Sequence, residues 1–108
     1  MADKIRLVQG DTRPTLICTL TDETTGGAIN ITGATVRLKF RQVGSTTLTA
    51  NIVGSVTDGP NGVVAFFWTP TALAGPIGDY EGEIEITFSD GSIQTVFDLL
   101  KFKLRSEF

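Results

Sequence analysis

The stretch Gly78–Thr95, GDYEGEIEITFSDGSIQT, constrains the fold more than any other part of the chain. Tyr80, Ile84, Ile86 and Phe88 fall on one parity, and Glu81, Glu83 and Glu85 on the other. A period of two is the repeat of a strand whose side chains point alternately to a core and to water. Ser89-Asp90-Gly91-Ser92 then breaks the pattern with a turn-forming Asp-Gly, and Ile93-Gln94-Thr95-Val96 resumes an extended segment. Alternation closed by Asp-Gly predicts a β-hairpin. A long two-faced hairpin needs a second apolar layer over its inner face, so it points to an all-β sandwich.

The remaining segments read the same way. Lys4–Gln9 is extended and stops at Gly10-Asp11. Pro14–Thr21 puts Leu16, Cys18 and Leu20 on one face. Asp22–Gly27 is a polar loop, and Ala28–Gly33 a short crossing segment. Thr35–Val43 alternates strictly, with Val36, Leu38 and Phe40 inward and Arg37, Lys39 and Arg41 outward. Leu48–Thr57 is a weaker, more polar strand. Asp58–Gly62 is a turn, and Val63–Trp68 is a strong strand. Thr69–Ile77, with Pro70 and Pro76, is an irregular loop with room for one helical turn. The return strand, Ser92–Leu104, has a phase conflict. Ile93, Thr95, Phe97 and Leu99 share one parity, and Leu100, Phe102 and Leu104 the other. A β-bulge near Asp98–Leu100 would reconcile them, as would burial of both faces there. The expectation is one domain, residues 1–108, with about seven antiparallel strands in a sandwich.

Composition narrows the function. There is no histidine among the 108 residues, which removes the commonest general base and metal ligand. No glycine-rich phosphate loop opens a helix, and no CxxC pair occurs. A single cysteine rules out an intrachain disulfide and suits a chain made in a reducing cytosol. The N-terminus lacks the apolar core of a secretory signal, and no run is long enough to span a bilayer as a helix. The formal net charge of −3 argues against non-specific binding to nucleic acid or anionic membrane.

Three groups are candidates for chemistry. Cys18 is either a nucleophile or a small packing residue beside Leu16 and Leu20. Without a basic neighbour it reads as packing. Glu81, Glu83 and Glu85 stand about 7 Å apart along one face. A cation there would need further oxygen ligands, with Asp58 and Asn61 the loop candidates; otherwise the face is solvated. Trp68 and Tyr80 would make an aromatic platform for a glycan. Alternatively both are core anchors, with the tyrosine hydroxyl tying down a loop as in a tyrosine corner. Asn30-Ile31-Thr32 matches a glycosylation pattern, read as chance in a chain without a secretory signal.

A structural use of the charges is sharper. In an immunoglobulin-like sandwich the third and sixth strands are neighbours, and the sixth and seventh form a hairpin. Arg37, Lys39 and Arg41 would then flank Glu81, Glu83 and Glu85 on one side, and Lys101, Lys103 and Arg105 on the other. Such a ladder opposes register slip. Lys4–Gln9 reads as an edge strand open to a partner.

Four segments together resemble a known family. They are Ile5–Thr12 with Pro14; Ile29–Val36 with Leu38, Phe40 and Arg41; Gly62–Pro70; and Gly78–Ile84 running to Asp90-Gly91. In order and spacing these are similar to the N-terminal domain of phage baseplate upper proteins and related Ig-like domains of tailed-phage virions. The resemblance implies an immunoglobulin-like β-sandwich and a non-enzymatic role in the virion, as a baseplate or tail adaptor docking through sheet edges and loops. Partners would be other virion proteins, with multiple copies per particle. No catalytic, cofactor-binding or metal residue follows from it. In that family the domain attaches a larger region to the tail; this sequence stops at the sandwich, so the attachment role is the part implied. The alternatives are a capsid decoration protein, or a module binding a host-surface glycan through the loops Asp22–Gly27 and Thr69–Ile77.

Overall fold

The computed structural model describes residues 4–96 and 99–107. Nine strands and no helix occur among them: β1 Ile5–Val8, β2 Leu16–Thr19, β3 Thr35–Gln42, β4 Ala50–Val53, β5 Ser55–Asp58, β6 Val63–Phe66, β7 Gly78–Thr87, β8 Ile93–Thr95 and β9 Leu100–Arg105. They form two sheets. The larger runs β1-β9-β7-β3-β4, with β8 also on β7; the smaller runs β2-β6-β5.

The rise from seven expected strands to nine needs no new strand segment. Leu48–Thr57 breaks at Gly54 into β4, which pairs with β3, and β5, which pairs with β6. At that crossing a Cβ on Gly54 would lie 2.5 Å from a Val64 methyl and 2.7 Å from the Phe66 ring. Only a residue without a side chain lets the chain change sheets so close to β6. The return strand divides into β8 and β9, both antiparallel to β7. One pairing departs from the all-antiparallel expectation: β1 runs parallel to β9, with Ile5 opposite Phe102 and Val8 opposite Arg105.

The phase conflict resolves differently from expectation. Ile86 pairs with Gln94, and Gly82 with Leu100. Four steps along β7 therefore correspond to six along the return, an even difference that preserves parity. Gln94, Val96, Leu100, Phe102 and Leu104 all turn inward, and Ile93 stands 64% exposed on the outer face. No flip is required, because the odd-numbered apolar residues do not all belong to the core. Asp98, where the expected bulge begins, lies outside the described residues, as does Phe97.

The core is the set of inward positions of both sheets, with Ile29 and Ile31 of the crossing segment and Leu73 of the Thr69–Ile77 loop. At one end four aromatics interlock. Phe40 stacks on Tyr80 with ring centroids 4.8 Å apart and meets Trp68 and Phe102 edge-on, both at 5.1 Å. Such pairs contribute about 0.5–1.5 kcal/mol each beyond their burial. Gly82 makes room for them: a Cβ there would lie 2.8 Å from Leu38 Cδ1 and 2.9 Å from Phe102 Cε1.

Candidate functional site

The charge-bearing surface is the outer face of the larger sheet, and alternation alone puts it there. Val36, Leu38 and Phe40 are fully buried on β3, so Arg37, Lys39 and Arg41 must face out. Across β7 they oppose Glu85, Glu83 and Glu81 in register. Lys39 Nζ reaches diagonally to Glu85 at 3.0 Å, and Arg41 donates to Glu81 at 2.8 Å. On the other flank Glu81 opposes Lys101, and Asp79 opposes Lys103. The acidic strand thus lies between two basic ones, as the sequence predicts. The ladder accounts for Glu81 and Glu85 as register-setting partners in one sheet.

Asp79 extends the ladder to β1. It accepts from Lys4 Nζ at 2.9 Å, with Lys103 Nζ at 3.9 Å. The hydrogen bond and charge of Lys4, with the more distant Lys103, hold its carboxyl below the usual range. Sequence reading did not single this residue out, although its parity with Glu81 was the available signal.

The other candidates resolve into structure. Tyr80 is 1% exposed and its hydroxyl donates to the Pro76 carbonyl at 2.6 Å, the tie expected of a tyrosine corner. Trp68 is 3% exposed and packs edge-on against Phe40 and Phe102. It offers no platform to a glycan, which corrects that alternative; the neighbouring Phe67, of opposite parity, is an exposed aromatic at 57%. Cys18 packs against the core from β2, and burial pushes its thiol up to about 11. That leaves it un-ionised at neutral pH and a poor nucleophile.

Asp58 does not turn toward the glutamates. Its carboxylate accepts from the Asn61 backbone and side chain and closes the turn. Asn30 accepts from the Thr32 backbone and hydroxyl at 3.0 and 2.7 Å, so the glycosylation-like triplet is a local turn. Among the described residues, no three His, Cys, Asp or Glu side chains gather as a metal site would require.

The Thr69–Ile77 loop is tied at several points. Leu73 O accepts from Gly10 N at 2.9 Å, Gly75 O from Gln9 Nε2 at 2.8 Å, and Thr69 caps Ala72 N at 3.1 Å. The first two bonds lock it to the end of β1, and the expected helical turn is present only as hydrogen-bonded turns. On the smaller sheet, Ile17 joins Phe67 as an exposed apolar side chain, at 66%. Parity within Pro14–Thr21 and Val63–Trp68 was enough to place both outward.

The described residues form a two-sheet, all-β fold, and on the outer face of its larger sheet Lys39, Arg41 and Lys4 pair with Glu85, Glu81 and Asp79. No protein-family model matches the chain, and no curated protein matches it. Among solved structures it is similar to the N-terminal domain of phage TP901-1 ORF48, with a TM-score of 0.66 and 15% identity, covering 98% of this chain and 86% of that one. It is also similar to CopC from Methylosinus trichosporium OB3b, with a TM-score of 0.52 and 10% identity, covering 99% and 88%. At these identities the likeness is one of fold.

Proposed function

We propose that this chain is a non-enzymatic structural module of a tailed-phage virion, an immunoglobulin-like adaptor of the tail or baseplate that docks to other virion proteins through its sheet edges and loops. The observation that carries the reading is the whole-length likeness to a phage protein domain, which agrees with the four sequence segments that resemble virion Ig-like domains. Strand order supports the immunoglobulin-like part. The third strand, the long acidic strand and the C-terminal strand are consecutive neighbours, facing a sheet in the order β2-β6-β5, as in the two sheets of that fold.

The chemistry fits a scaffold. The one thiol is held protonated by burial, and the carboxylates of the acidic strand serve its pairing. What remains for recognition is the perimeter: the outer edges of β1, β4, β2 and β5, and the loops at the two ends.

The reading is tested by purifying particles from the host that carries the gene and quantifying this chain by mass spectrometry against the major capsid and tail proteins. A fixed stoichiometry that survives gradient purification, with density for the domain at the tail in a particle reconstruction, is expected. Absence from purified particles would refute the virion assignment. Density on the capsid shell would refute the tail placement and make it a decoration protein.

A further inference from the structure

The cations of this acidic chain are concentrated on one surface. All three of β3, all three of β9 and Arg6 of β1, seven of the chain's nine, lie at outward positions of the larger sheet. On the β3 side Lys39 and Arg41 are paired with Glu85 and Glu81, and Arg37 lies opposite Glu85 in register. On the β9–β1 side Asp79 is shared between Lys4 and Lys103, and Lys101 lies opposite Glu81 in register. Among the described residues Arg6 and Arg105 have no carboxylate partner. Arg6 also lies directly opposite Lys103 in the β1–β9 register, a like-charge juxtaposition that destabilises a sheet. Ladder logic explains the β3 flank and Lys101, and leaves Arg6 and Arg105 beside the β1 edge unexplained.

The same place is an open strand edge. Strand β1 ends the larger sheet. Gln9 N–H bonds Arg105 O, so in the parallel pattern alternate residues 5, 7 and 9 direct their backbone to β9. The N–H and C=O of Arg6 and the N–H of Val8 therefore point away from the sheet, where a further strand would lie. Beside them is a depression of about 260 Å³ lined by Arg6, Leu7, Val8, Lys103 and Arg105.

We propose that the β1 edge is a docking edge for an extended acidic segment of a partner protein, which adds as a strand beside β1 and sets carboxylates at alternate positions over Arg6, Lys103 and Arg105. Backbone pairing supplies the affinity, and the cations supply register and choice of partner. The proposal rests on the reading of the chain as a docking module, and names its edge and the chemistry of what it takes.

Two experiments separate the two claims. In the first, the isotope-labelled full chain is titrated by NMR with a capped peptide alternating glutamate and valine. Shifts are expected at the Arg6 and Val8 amides, with affinity reduced about tenfold in Arg6→Gln/Lys103→Gln, reduced in about 0.5 M salt, and abolished by N-methylating alternate peptide bonds. The thermal melt of the double variant checks its fold. No shift at β1, shifts centred on β4, or an equal response from the N-methylated peptide or a sulfated polyanion would overturn the added-strand proposal. In the second, the double variant is scored for incorporation into particles. Wild-type chain present and variant lost supports the docking edge. Full incorporation of both refutes this edge and leaves the virion assignment standing, while absence of wild type refutes that assignment independently of the titration.

Discussion

Removing one oxygen from Tyr80 tests how this sandwich holds its end closed. In Tyr80→Phe the ring keeps its place, 1% exposed and stacked on Phe40 with planes 4° apart. The apolar transfer term therefore cancels between the two side chains. What is lost is the 2.6 Å hydrogen bond to the Pro76 carbonyl. A net hydrogen bond is about 0.5–1.5 kcal/mol, and an orphaned acceptor adds to that where water cannot reach it. Pro76 is exposed, so water can replace the hydroxyl, and the expected loss is about 1 kcal/mol. For a domain near this size that lowers Tm by about 4–8 °C.

The assay is urea unfolding followed by the fluorescence of Trp68, the only tryptophan, with an unchanged m-value as the check that the fold is intact. Alkaline pH supplies a second readout. Burial raises the Tyr80 phenol above its ordinary value, so the folded state favours the neutral form. Its contribution is complete below the unfolded pKa of about 10 and is lost as pH rises through the higher folded value. The stability gap between wild type and variant should therefore narrow above about pH 10. A gap that stays constant through the phenolate titration, or a loss below about 0.3 kcal/mol at neutral pH, would refute the assigned role of the hydroxyl.

Three further outcomes follow from the same structure. A double-mutant cycle on Arg41→Ala and Glu81→Ala should give a coupling of about 0.3–1 kcal/mol that shrinks in high salt, while a cycle on Arg37 and Glu83 gives none. Gly62→Ala should destabilise by more than about 2 kcal/mol, measured by urea unfolding. Its φ of +72° disfavours a side chain, and a Cβ would sit 2.7 and 2.8 Å from the carbonyl oxygens of Leu20 and Ile29, neither of which can swing aside. Cys18, with its thiol at about 11, should react with a disulfide reagent at pH 8 far more slowly in the native chain than in denaturant; equal rates would contradict its packing against the core.

Much of this molecule was legible in local pattern. Alternation located the strands and their faces, Asp-Gly located the hairpin, and charge parity located the ladder, because each depends only on the period-2 geometry of one strand. The tyrosine tie was legible for the same reason: a tyrosine opening a strand just after a proline-bearing loop has its acceptor close in sequence.

What alternation could not decide was which strands meet. Parity in Ser92–Leu104 is ambiguous when both parities are apolar. The even register difference against β7 is what puts Ile93 outside and Val96 inside. The parallel course of β1 beside β9, the change of sheet at Gly54 and the burial of Trp68 under the Phe40 cluster depend on contacts between segments far apart in sequence, which no local window contains. The sequence alone determined an all-β chain with an acidic strand, two basic strands and few groups suited to catalysis. Tertiary structure decided that Lys39 and Arg41 are paired while, among the described residues, Arg6 and Arg105 stand without a carboxylate beside an open edge, because pairing is a property of neighbouring strands and not of either strand alone.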